Sequence, residues 1–219
     1  MKTVKITAIL AVLVATGCAM PHVKTSNTAF YLDAFVPTGS ISVVSGEVNV
    51  NSSLEFSAYK KKFENKLIAV GYKIEHDTNK ADYIALVAYG IDNGETSTVS
   101  TPIFGQTGGG STYSSGTVYG SGGSASYSGS SYTMPTYGVV GSTTGSVTTY
   151  SRAIALDIVE AQSFKDGNPR KVYEGRTKSK GRCSVIVEVF DEMLEAMFTD
   201  FPGENGRNRN QVVAGEFRC

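Results

Sequence analysis

Tryptophan is absent from the 219 residues, histidine occurs twice and cysteine three times. With only His22 and His76, and no Cys/His cluster at ligand spacing, the sequence offers nothing to a zinc or other transition-metal centre. No Gly-x-Ser-x-Gly elbow stands ahead of an Asp and a His, so that route to acyl transfer has no support. The 20 cationic and 20 acidic residues cancel, and nothing steers the chain toward nucleic acid or an anionic surface. No apolar run reaches the ~20 residues that a membrane-spanning helix requires. The most extreme shortage is local: between Glu95 and Arg152, 56 consecutive positions carry no charge. No catalytic residue, metal ligand or cofactor is assigned.

What is present begins at the N-terminus. Lys2 and Lys5 precede an apolar stretch from Ile6 to Ala15, and Thr16-Gly17-Cys18 follows. A basic start, a short apolar segment and small residues are the parts of a bacterial secretory signal. The Gly17-Cys18 ending resembles the lipobox of bacterial lipoproteins. That resemblance implies a diacylglycerol thioether on Cys18, removal of residues 1–17 and acylation of the new amine. Ala19 stands where Asp would retain such a protein at the inner membrane, which implies the periplasmic side of the outer membrane. Two or three acyl chains hold stably at ~0.8 kcal/mol per buried methylene, whereas one does not.

An oxidising compartment allows the remaining cysteines, Cys183 and Cys219, to pair. The bridge would close a loop of 36 residues, worth ~3–4 kcal/mol in the chain-entropy model. The alternative is two free thiols.

Periodicity predicts one domain over residues 28–203, between a lipidated tether (18–27) and a polar C-terminal tail (204–219). Thr28–Val36 is a strand, broken by Pro37-Thr38-Gly39, and Ile41–Val44 pairs after the break. Ser52 or Ser53 caps a helix in which Phe56, Tyr59, Phe63, Leu67 and Val70 recur at three- and four-residue steps, and Gly71 stops it. Lys60, Lys61 and Lys62 lie on its wet side. Ala81–Tyr89 is apolar nearly throughout, as in a central strand, with Asp82 capping the local turn. Arg152–Glu160 alternates, Asp166-Gly167-Asn168-Pro169 turns, and Lys171–Thr177 returns. A last helix carries Val185, Ile186, Val189, Met193, Leu194, Met197 and Phe201. The expected fold is α+β: a mixed, mostly antiparallel sheet with two amphipathic helices on one face. Glu160, Asp166 and Glu174 surround a hairpin and read as carboxylates facing water.

The charge-free stretch, 96–151, is a Gly/Ser/Tyr-rich insertion. Half of the chain's 24 glycines and half of its 12 tyrosines fall between residues 105 and 150. Such a segment cannot assemble a core of its own. Three readings stand open. It is a flexible loop; or it orders on a partner through Tyr113, Tyr119, Tyr127, Tyr132 and Tyr137, as tyrosines do in antibody loops; or it is a hairpin that enters the outer membrane when many copies assemble, as in the curli secretion channel. For the third, Tyr113, Ser115, Thr117 and Tyr119 lack the aliphatic middle of a lipid-facing row. Gly120-Ser121-Gly122-Gly123 has neither the preceding strand, the following helix nor the Lys-Ser/Thr of a phosphate loop.

A set of phrases in fixed order, Leu67–Tyr72, Ala81–Tyr89, Pro135–Gly138, Arg152–Ile158, Val172–Gly175 and Phe201-Pro202, resembles a family of Gram-negative lipoproteins built on a domain of unknown function. The resemblance implies envelope residence and an α+β core, and brings no catalytic residues. The expected role is a non-enzymatic, outer-membrane-anchored binding or assembly component. Its partners would be membrane lipid through acylated Cys18 and an envelope protein or peptidoglycan, with no nucleic acid. The alternative is a subunit of an oligomeric ring or channel, of the secretion or flagellar-associated kind, with 96–151 as its inserted hairpin or assembly loop.

Overall fold

A computed structural model describes residues 21–47, 50–215 and 219. Among these the elements run β1 (His22–Tyr31), β2 (Ser40–Ser45), α1 (Leu54–Ala69), β3 (Lys73–Ile74), β4 (Tyr83–Ile91), β5 (Glu95–Gly120) and β6 (Gly123–Glu160). Then follow α2 (Ala161–Lys165), β7 (Lys171–Gly181), α3 (Phe190–Phe198) and β8 (Asn208–Ala214). Eight strands and three helices make an open, mixed-sheet α+β fold with strand order β3-β2-β4-β6-β7-β1-β8, and β5 pairs β6 alone. The chain divides into two compact units, one ending at Asp92 and resuming at Tyr150, the other Asn93–Thr149.

In the first unit β2 runs parallel to β3 and β4, whereas β4–β6, β6–β7, β7–β1 and β1–β8 are antiparallel. Parallel neighbours need a crossover, and α1 supplies it between β2 and β3. Its Ser53 Oγ accepts from the Phe56 amide at 3.4 Å, a cap of a kind worth ~1 kcal/mol. At the other end Gly71 adopts φ +121°. A Cβ there would come within 2.6 Å of the Pro37 carbonyl oxygen, so only glycine fits both the left-handed turn and the close approach. The Gly71 and Tyr72 amides close the helix end on the Ile68 and Leu67 carbonyls.

Phe56, Tyr59, Phe63 and Leu67 are buried on α1, and Phe190, Met193, Leu194 and Met197 on α3. They share one core with Ile41, Val43, Ala85, Val87, Ile154, Leu156 and Ile158 of the sheet. The Tyr59 ring stacks on Phe190 with centroids 3.7 Å apart. Lys62 pairs with Asp191 at 2.6 Å, and Lys66 pairs with Glu195; such surface pairs contribute little. Lys62 and Lys66 thus face carboxylates of α3, and Lys60 lies 3.9 Å from Glu64 of its own helix. Ile84, Val159 and Ala161 form a second, smaller cluster.

The structure corrects the expected layout in four places. Residues 22–27, read as tether, belong to β1, where Val23, Thr25, Asn27 and Ala29 are buried alternately. Polar Lys24 and Ser26 between them hide the strand from a hydrophobic reading. Residues 208–214, read as a loose tail, form the edge strand β8, paired with β1. A third helix, α2, follows β6 where only a turn is expected. The last helix starts at Phe190, after a 3-10 turn over Ile186–Glu188.

Candidate functional site

The second unit is a two-stranded antiparallel ribbon. Glu95–Gly120 pairs with the 123–149 part of β6, reversing at Ser121-Gly122. No residue of 93–149 is buried. Where a structureless loop is the simplest reading of the composition, hydrogen-bonded strands of Ser, Thr, Val and Tyr run without a core. The Gly120–Gly123 phrase, read above only against phosphate loops, is the hairpin turn.

The register divides the ribbon into a base and a tip. At the base nine consecutive pairs run from Glu95–Thr149 to Ile103–Gly141. Alternation puts Ser97, Val99, Thr101, Ile103, Val147 and Thr143 on one face. The opposite face carries Thr96, Thr98, Ser100, Thr144, Ser146 and Thr148. Thr96 and Thr148 hydroxyls hydrogen-bond across the strands at 2.8 Å. Register shifts then fall between Ile103 and Gly110. There Gln106 Nε2 donates to the Gly108 and Gly109 carbonyls at 3.2 and 3.0 Å, which satisfies acceptors the ladder leaves open.

Beyond the shifts lies the tip, and it holds most of the sequence-predicted partner residues. Tyr113, Tyr119 and Tyr132 share one face by register, and Tyr127 takes the other, opposite Gly116. A Cβ on Gly116 would lie 2.7 Å from the Tyr127 ring, so the ring covers that backbone. Tyr137 pairs with Gln106 among the shifts. All five rings are exposed, Tyr119 at 81 %.

Within the first unit the ionisable side chains are mostly engaged with each other. Asp82 accepts from the Ser40 amide at 2.8 Å and hydroxyl at 2.7 Å. These bonds hold its carboxyl below the usual range, as in a cap. Glu160 pairs with Arg170 at 2.8 Å, and Glu174 with Lys171 at 2.5 Å. Asp166 accepts from Gln162 at 3.0 Å. Burial alone would raise the Asp157 carboxyl, but hydrogen bonds from Arg176 and Lys171 outweigh it and keep it low. His76 lies 3.8 Å from Glu64. Among the described residues no three His, Cys, Asp or Glu side chains stand close enough to hold a metal ion.

The two larger clefts among the described residues of this unit differ in lining. One of about 540 Å³ is lined by Tyr173, Arg176, Asp200, Arg207 and Arg209, with Arg209 paired to Asp200 at 3.0 Å and Arg207 to Glu204 at 3.1 Å. The other, about 1020 Å³, runs along the sheet between Gly90, Ala153, Lys178 and Ser26. At its floor Arg152, only 3 % exposed, donates to Ser179 Oγ at 3.3 Å. Burial disfavours its charge, and Asp92 nearby opposes that.

Cys183 and Cys219 are joined as a disulfide, with Cα atoms 5.0 Å apart. Cys18 and the leader lie outside the described residues. No described helix is long and apolar enough to cross a membrane.

No curated protein matches the chain. A solved structure, a PDZ domain protein from Parabacteroides distasonis, aligns with a TM-score of 0.42 and 12 % identity over 89 % of this chain. This chain spans only 40 % of that structure. A domain of unknown function, DUF4136, matches residues 33–203, and the chain belongs to that family.

Proposed function

We propose that this chain is a lipid-anchored subunit of an outer-membrane assembly, in which copies associate through their ribbons. Residues 1–17 are cleaved, acylated Cys18 holds the first unit at the periplasmic leaflet, and the ribbon joins neighbouring copies. One observation carries this reading: two long strands, free of charge from 96 to 149, pair only with each other.

A single two-stranded hairpin is marginal in water. Its two outer edges present rows of unpaired N–H and C=O groups, which soluble proteins blunt with Lys, Pro, bulges or short strands. Here Lys is missing, Pro102 and Pro135 are the only prolines, and Pro135 sits beside the register shifts. Edge-to-edge pairing, β5 of one copy against β6 of the next, satisfies both rows, and a closed ring leaves none over. No catalytic step is required.

A photo-activatable cross-linker at Ser114, in cells making the full acylated chain, tests this reading. We expect a ladder of products at whole multiples of the chain mass. Irradiated cells that yield only monomer, or only adducts to unrelated proteins, contradict it and favour a monomeric binding protein.

A further inference from the structure

Resting on that reading of the ribbon as the joining element, we infer that its base crosses the outer membrane: Val99, Ile103 and Val147 face lipid, and the Ser/Thr row faces a water-filled lumen enclosed by the copies.

The first support is chemical segregation along the strands. Five of the ribbon's six Val and Ile residues, Val99, Ile103, Val139, Val140 and Val147, lie in or beside the base; Val118 is the exception. The nine base pairs put the aliphatic residues on one face, together with Thr and Gly positions, Ser97 and the terminal Glu95, and only hydroxyls and Pro102 on the other. Alternation of that kind is what a barrel strand needs, and ~9–11 tilted residues cross a bilayer. The tyrosine-only rows at the tip, which argue against insertion, belong to a different segment.

The length of the base fits a span. Between 96 and 103, and between 138 and 149, there is no aromatic residue. Tyr150 flanks one side, and Phe104 and Tyr137 flank the other, both more than 70 % exposed; by alternation all three stand on the Thr96 and Thr148 face, so they carry no argument for a lipid-facing girdle. At ~2.5 Å of depth per tilted residue, the 13 steps from Tyr137 to Tyr150 span roughly 30 Å, the thickness of a bilayer's hydrocarbon core. The one charge of the base, Glu95, stands at its end beside the first unit, and no charge has to lie at the midplane, where Lys or Arg would cost ~2–4 kcal/mol.

The second support comes from the first unit and is independent of the ribbon's composition. Thr25, Ser179, Arg152 and Ile91 stand in one row across four adjacent strands. One step further toward the same end lie Lys24, Lys180, Ser151 and Asp92, so β1 begins at the edge of the sheet where the ribbon is attached. Only three residues separate Cys18 from His22, at most ~14 Å of extended chain. An acylated Cys18 would thus be tied by that short length of chain to the end of the core sheet at which the ribbon is attached. A ribbon attached at the far end would have had to pass the whole domain first.

The absence of native tryptophan makes the test direct. Val99→Trp and Ser100→Trp, each made in the full acylated protein, are reconstituted in brominated phosphatidylcholine, and photo-crosslinking is run on the same samples. We expect brominated lipid to quench Val99→Trp more than twofold and Ser100→Trp hardly at all, with aqueous acrylamide giving the reverse order. Equal acrylamide quenching of both, with the multimer ladder intact, overturns the membrane span and leaves the assembly reading standing. Loss of the ladder in the unsubstituted protein overturns both.

Discussion

The two units of this chain spend their sequence in opposite ways. The first buries Phe56, Phe63, Leu67, Ile154, Leu156 and Phe190 almost completely, and puts its carboxylates and amines into surface pairs. The second has strands more than twice as long as any in the first, yet buries nothing and carries no charge between 96 and 149. A globular unit gets its stability from apolar area removed from water, ~25 cal/mol per Å². The ribbon has no such area inside one copy. Its strands alternate regularly, but what they are built to meet lies outside the chain.

That difference is open to attack with substitutions of graded size. The largest effect is expected at Phe190, which stacks on Tyr59 and meets Phe63 edge-on. Phe190→Ala should destabilise the first unit by ~3–5 kcal/mol, read as a fall in the chemical-denaturation midpoint. Next comes Cys219→Ser, which opens the 36-residue loop and should remove ~3 kcal/mol. If it changes nothing, β8 is held by its pairing alone.

Gly71→Ala is smaller. The left-handed φ and the Pro37 carbonyl at 2.6 Å predict a loss of ~1–3 kcal/mol, measurable by thermal unfolding. A loss below a few tenths would show that the turn relaxes freely.

Asp157→Asn should cost on the order of 1 kcal/mol at neutral pH, and the loss should depend on acid. The folded-state pKa of Asp157 is depressed, so its contribution is present above the unfolded value of ~3.9 and is lost as pH falls through the folded one. The stability gap between wild type and variant should be flat above about pH 5 and close below pH ~4. A gap that widens in acid contradicts the assignment. The smallest effect belongs to the ribbon: Val99→Ala should leave unfolding of the first unit within ~0.5 kcal/mol.

How far the sequence reveals all this depends on where the information is written. Helix α1 is legible because its signal is local and redundant. A cap at Ser53, four apolar residues at helical spacing and a glycine stop agree with one another. β4 and the core part of β6 are equally plain, since strands buried in the middle of a sheet must be apolar. β8 is not, because an edge strand of Asn, Arg, Gln and Val pairs through its backbone, and composition is silent about backbone pairing. β1 fails for a similar reason at Thr25 and Asn27, polar residues buried against the Gln211 side of the sheet.

The ribbon was half legible. Freedom from charge and the clustering of tyrosine mark residues 96–151 as a special segment, but glycine content points to disorder. The counter-signal was available in Val99, Thr101 and Ile103 spaced by two, and in the glycine turn at 120–123 flanked by β-formers. Face assignment needed the register, which the bulges between Ile103 and Gly110 reset. No spacing rule applied across those bulges could have put Tyr113 and Tyr132 on the same face.

Mass photometry of the detergent-extracted acylated protein, beside a variant with residues 96–148 replaced by a two-residue turn joining Glu95 to Thr149, tests the account most directly. We expect the full chain to run as one discrete multimer, and the shortened chain as a monomer whose unfolding midpoint is unchanged. A monomeric full chain, or a shortened chain that still forms the multimer, would contradict the claim that the ribbon is what joins the copies.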